Sequence, residues 1–240
     1  MQNILLVNFI YFSTFFICLI PEFTWGQSSF NSGLFSGLSL TQIDGDGYSG
    51  FDKPGLILGG SLSNDFGWEN KSLQMELQFV QKGSRRPANP EKGIPPYLIK
   101  LSYFEIPVLF RYYYKKIYFA GGLSYGRLIA GSHKEYDISG EVPNRSPFKK
   151  SEIAITGGGS YFLTKKISVE IKAARSVIPV RDYAILSQFG FFGITSSGIF
   201  GGSYNSALYY TVRYQFGENT ENKPKEEEKN MVKEILKIED

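Results

Sequence analysis

The sequence predicts an all-β protein: an eight-stranded antiparallel up-and-down transmembrane β-barrel with short periplasmic turns and longer extracellular loops. Three observations predict it. Apolar and polar residues alternate with period two over eight separate stretches. The connections between those stretches alternate short and long without exception. An apolar segment of the export type precedes them all. Composition agrees, since 26 of 240 residues are Gly, 16% are aromatic and only 20% are charged, a mixture suited to strands and tight turns. A hydrophobic share of 42% is enough to bury a core, and the formal net charge of +3 decides little.

The N-terminal stretch Asn3 to Ile20 is apolar and uncharged, and the small-residue site Thr24-Trp25-Gly26 follows. Residues 1–26 therefore read as a secretory signal peptide, with 27–217 as the barrel. The stretch lacks Lys and Arg, so an uncleaved anchor helix is the alternative reading. Cys18, the single Cys, lies inside it; a mature chain without Cys suits an oxidising compartment and needs no disulfide.

The eight stretches are Gly33 to Ile43, Gly55 to Ser63, Ser72 to Lys82, Leu98 to Tyr113, Ile117 to Ile129, Glu152 to Phe162, Ile167 to Ile178 and Ser206 to Phe216. Each reaches the roughly 9 to 11 residues that a tilted strand needs to cross a bilayer. Short connections follow the second, fourth and sixth; long ones, Asp44 to Pro54, Gly83 to Tyr97, Ala130 to Ser151 and Pro179 to Asn205, follow the others. In the fourth stretch Phe104, Ile106, Val108, Phe110 and Tyr112 share one parity, and Tyr103, Glu105, Pro107, Leu109 and Arg111 the other. The third, seventh and eighth divide in the same way.

Period alone does not say which face points inward, and a soluble lipocalin-like barrel would bury the apolar one. The export segment, the terminal Phe216 and the aromatics near strand ends (Tyr112, Tyr113, Tyr118, Tyr161, Tyr214) favour a lipid-facing apolar surface with interfacial girdles. The polar parity then carries the acids Glu76, Glu105, Glu152 and Glu170 and the bases Lys82, Arg111, Lys172 and Arg213 into the interior. Eight strands leave room only for side chains, so these ions are expected to form a plug of structural pairs and no open pore. Counting from the middle of the last long loop sets Glu170 opposite Arg213, and the same count across Gly83 to Tyr97 sets Glu76 opposite Glu105, with Lys82 or Arg111 as the neutralising base. Lys100 and Arg175 fall on the apolar parity towards the outer rim, and the face of Arg127 stays open.

The segment YFEIPVLFRYYY, Tyr103 to Tyr114, resembles the "YLEIPLLLKY" segment of the Bacteroidetes-type outer-membrane β-barrel family, the PorT-like or porin-family proteins. GLFSGLSLTQIDGDGYSGFDKPGLILGG (Gly33 to Gly60), LQMELQFVQKGS (Leu73 to Ser84) and YFAGGLSYGRLI (Tyr118 to Ile129) agree with it. The resemblance implies an eight-stranded barrel in the cell outer membrane, structural or associated with assembly and secretion. Its implied partners are outer-membrane lipid, the barrel assembly machinery and a periplasmic or secretion-complex protein.

Residues 218–240 form a charged periplasmic tail with five Lys against eight acids, and Met231, Val232, Ile235, Leu236 and Ile238 recur at the spacing of a short amphipathic helix. No catalytic, cofactor or metal site is expected, and nucleic acid is not an expected partner. Asp44-Gly45-Asp46-Gly47 lacks the later carboxylates of a calcium loop. Ser132, His133 and Asp137 are near in sequence, which is poor evidence for a triad. Gly157 to Gly159 opens no helix and so does not cradle phosphate. The alternative role is surface recognition: Arg85, Arg86, Lys92, Lys134, Lys149 and Lys150 place bases in two outer loops, suited to lipopolysaccharide phosphates or an acidic glycan.

Overall fold

A single sheet closes on itself. The computed structural model describes residues 30–45, 50–66, 68–92, 96–137, 140–142, 148–182 and 202–216; the N-terminal segment, the tail beyond residue 216 and Asp46 to Ser49 of the glycine-aspartate loop lie outside them. Its strands are β1 (Asn31–Asp44), β2 (Lys53–Asn64), β3 (Lys71–Arg86), β4 (Tyr97–Tyr114), β5 (Ile117–Asp137), β6 (Gly140–Val142), β7 (Ser151–Phe162), β8 (Ile167–Ser176) and β9 (Tyr204–Gln215), with a 3-10 turn at Pro90–Lys92. The long strands pair antiparallel with their chain neighbours, and β1 also pairs with β9. Eight strands thus form a closed barrel, in which each has a partner on both sides, and only the short β6 beyond the rim ends the sheet.

Sequence parity and structure coincide in β4. Phe104, Ile106, Val108 and Phe110 are 43–50% exposed on the outer surface, while Tyr103, Glu105, Leu109 and Arg111 point into the lumen at 0–2%. The apolar side of the ribbon faces outward throughout: Leu34, Leu38, Leu77, Leu123, Ile155, Ile171 and Val212 are all exposed. Two of the expected girdle aromatics do not belong to it. Tyr113 and Tyr118 lie on the inward parity and are buried, whereas Tyr112, Tyr161, Tyr214 and Phe216 are on the outer surface.

Three turns close one end of the barrel, and the long connections rise from the other; we call these the turn end and the loop end. At the loop end the ladder runs further than alternation indicated. Arg86 pairs with Tyr97, Tyr97 with Glu135, and the unexpected β6 with Glu135–Asp137. Arg85, Arg86 and Lys134 are therefore strand residues and not loop residues. Beyond the rim neither face of the ribbon is held against lipid or lumen, so the composition stops alternating while backbone pairing continues. Gly83, with φ +138°, and a ladder irregularity between Ser102 and Tyr103 mark where this ribbon leaves the barrel.

Lumenal packing depends on one close approach. Gly158 on β7 pairs with Lys172 on β8, and a Cβ at Gly158 would collide with the Ile171 carbonyl oxygen and the Lys172 backbone. The glycine lets the two strands and the Lys172 stem come together.

Candidate functional site: the lumenal charge network

Alternation in six strands directs the charged side chains to one axis. At mid-height Glu76 of β3 accepts from Lys172 Nζ at 2.7 Å and from Arg213 Nη2 at 2.5 Å. Arg213 Nη2 also donates to Glu170 at 2.9 Å, and Lys172 Nζ lies 3.5 Å from Glu170. Neutral donors complete the shell: Gln74 Nε2 to Glu76, and Tyr118 OH and Thr211 Oγ1 to Glu170. Arg213 Nη1 donates to Ser61 Oγ, and the Phe35 ring lies under both cations. All four ions are buried, so the pairing and its hydrogen bonds are what makes their burial tolerable.

Towards the loop end Lys82 Nζ bridges Glu105 at 2.5 Å and Glu152 at 3.0 Å, above the Tyr103 ring. Gln78 Nε2 donates to Glu105, and Ser176 Oγ and Asn205 Nδ2 donate to Glu152. At the rim Asp44 accepts from Gln42, Ser206 and Arg175 Nη1, the last at 2.6 Å. Asp44, the first acid of the glycine-aspartate loop, is thereby held inside the barrel rim. Arg175 lies on the apolar parity of β8, yet at the rim its guanidinium reaches back to a lumenal carboxylate.

The register derived from loop centres is displaced. Glu170 stands opposite Thr211 and Arg213 opposite Ser168, so the Glu170–Arg213 contact is diagonal. Glu105 stands opposite Gln78 instead of Glu76, which separates the two acids. Loop midpoints mislead here because the two strands of a hairpin need not leave the rim at equal heights. Lys82 is the base that meets Glu105. Arg111 meets no carboxylate among the described residues: its guanidinium stacks on the rings of Tyr118 at 4.8 Å and Tyr113 at 5.4 Å. Tyr113, Tyr118 and Phe162 form an aromatic layer at the turn end that the sequence reading had placed partly outside. Strict parity counting from Arg111 would have found it.

Arg85 and Arg86 end β3 beside Tyr97, with the Arg86 guanidinium 5.9 Å from that ring, around a cavity of about 360 Å³ completed by Pro87, Ala88, Pro96 and Leu98. Lys92 ends the 3-10 turn, and Lys134 sits in β5 opposite Leu98. Lys149 forms an exposed pair with Asp182 at 2.6 Å, and Lys150 beside it is exposed. Arg127 is outside the lumen, where it donates to Ser151. Ser132 and His133 are consecutive residues of β5 and Asp137 is four further on, roughly 13 Å along an extended strand.

The chain matches the family described as "Outer membrane protein beta-barrel domain" over residues 25–181. Among solved structures it is similar to Ail, the attachment invasion locus protein of Yersinia pestis, crystallised with the heparin analogue sucrose octasulfate: 12% identity, TM-score 0.44, 78% of this chain and 99% of that one. Neisserial surface protein A is similar at 13% identity and TM-score 0.39, covering 78% and 97%. The N-terminal barrel domain of Pseudomonas aeruginosa OprF is similar at 10% identity and TM-score 0.34, covering 78% and 98%. A search of curated proteins finds no match.

Proposed function

Because this chain belongs to the outer membrane protein β-barrel domain family and lies in the outer membrane, we propose that it is a non-conducting, non-enzymatic barrel, structural or associated with assembly and secretion. The observation that carries this reading is the sealed lumen. Glu76, Glu170, Lys172 and Arg213 meet from β3, β8 and β9, with the Lys82 cluster above and the Tyr113–Tyr118–Phe162 layer below. A solute path would have to break several charge-assisted bonds at once in a low-dielectric interior, and each break leaves a buried ion alone. The working surfaces are then the two ends: the turn end, where β9 finishes at Gln215, and the ribbon at the loop end.

Two measurements test this. Reconstituted protein in planar bilayers should give no stepwise conductance, and steady channel openings would overturn the sealed reading. Crosslinking in native membranes should recover a periplasmic or secretion-complex protein, and recovery of lipid alone would remove the assembly role.

One observation favours a second reading, surface recognition of an anionic ligand. Arg85 and Arg86 flank a cavity beside the Tyr97 ring, a combination of cation, donor fork and aromatic wall suited to lipopolysaccharide phosphate or an acidic glycan. Replacing both arginines by Gln should abolish retention on immobilised lipopolysaccharide while leaving the fold intact; unchanged retention would dismiss it.

A further inference from the structure

We propose that the turn end of the lumen binds one small monovalent inorganic anion, chloride in size, on the guanidinium of Arg111. Charge, hydrogen-bond capacity and surroundings each point to it. Around Arg111 the lumenal ions are Glu76 and Glu170 against Lys172, Arg213 and Arg111 itself, two carboxylates facing three cations. Both carboxylates make their close pairs with Lys172 and Arg213, which leaves Arg111, 1% exposed, as the lumenal cation without a paired carboxylate among the described residues. A buried cation without a counter-charge is costly, and stacking on Tyr118 and Tyr113 satisfies only the faces of the guanidinium.

Its in-plane donors tell the same story. Arg111 Nε and Nη1 are buried and have no acceptor among the described residues. Arg213 Nε and Ser168 Oγ, from β9 and β8 on the same lower part of the lumen, are likewise unmatched. Against these four groups that can donate stands, among the described residues of this lower part, one buried acceptor without a donor, Gln74 Oε1; Gln78 Oε1 and Asn205 Oδ1 belong to the Lys82 cluster towards the loop end. The Tyr113 hydroxyl is hydrogen-bonded to Ser72 Oγ. A region with surplus donors and one surplus positive charge is complementary to a species that is all acceptor and carries one negative charge. The rim adds an attractive field, because Lys71 at the start of β3 and Lys115, Lys116, Lys165 and Lys166 on two of the turns are exposed around this mouth and outnumber Asp65 and Glu69 of the third turn.

The test uses the full mature barrel refolded in detergent. Chloride-35 resonance should show line broadening beyond that of detergent alone, and bromide should displace it. Thermal midpoints at constant ionic strength should rise saturably as chloride replaces gluconate, and the rise should vanish in Arg111→Met. Crystals grown in bromide should place an anomalous scatterer in contact with the Arg111 guanidinium, a readout that keeps the proposal open to refutation if Arg111→Met fails to fold. No excess broadening, an equal rise in Arg111→Met, or halide only at surface lysines would each overturn it.

Discussion

Lys172 on β8 and Glu76 on β3 are 96 residues apart in the chain, yet their side chains meet across the lumen at 2.7 Å. No pair of adjacent strands brings them together; only barrel closure does. The contact therefore reports the closed state.

Arg213 holds two carboxylates, Glu76 and Glu170, with one guanidinium nitrogen. Arg213→Ala should lower stability by about 3–5 kcal/mol, because both acids stay buried with less compensation. The urea midpoint in detergent or vesicles measures it, and an unchanged midpoint would remove the pairing from the account. Arg213→Lys should recover part of the loss, since an ammonium lacks the planar fork.

Among the described residues Lys82 is the one ammonium that bridges Glu105 and Glu152. Lys82→Met should cost about 3–5 kcal/mol, and adding Glu105→Gln should restore a substantial part by removing one of the stranded charges. A double-mutant cycle on unfolding midpoints reads the coupling; strict additivity would count against it.

Outward positions should respond by depth. Val108→Arg, mid-strand on the lipid face, is expected to cost about 2–4 kcal/mol, whereas Ile129→Arg near the loop end should cost at most about 1 kcal/mol. Equal penalties in vesicle unfolding would mean that the bilayer does not cover Val108.

Gly158→Ala should be destabilising by about 1–3 kcal/mol, because the added methyl meets backbone of β8 and must push Lys172 off Glu76. Gly121→Ala, where an added Cβ meets nothing within 4 Å, is the matched control and should change little.

Strand positions and the direction of each face were legible because a two-residue period, once one side is known to be apolar, fixes the destination of every side chain on the ribbon. Glu76, Glu105, Glu152, Glu170, Lys82, Lys172 and Arg213 follow from parity alone. Their partners do not. Which acid meets which base depends on stagger between strands, and the loop-midpoint count missed it by two residues at Arg213. The extension beyond the rim, Gly83 to Arg86 on β3, Ala130 to Asp137 on β5 and β6, was illegible for a different reason: pairing there is carried by backbone hydrogen bonds, which leave no trace in composition.

The seam between β1 and β9 runs from Gly33 beside Gln215 to Asp44 beside Tyr204, joining the first of the described strands to the last. Translation must pass Gln215 before the molecule can have a finished outline. A product cut short of β9 keeps two raw borders of unpaired amide groups, an invitation to clumping or to the attention of proteases and chaperones.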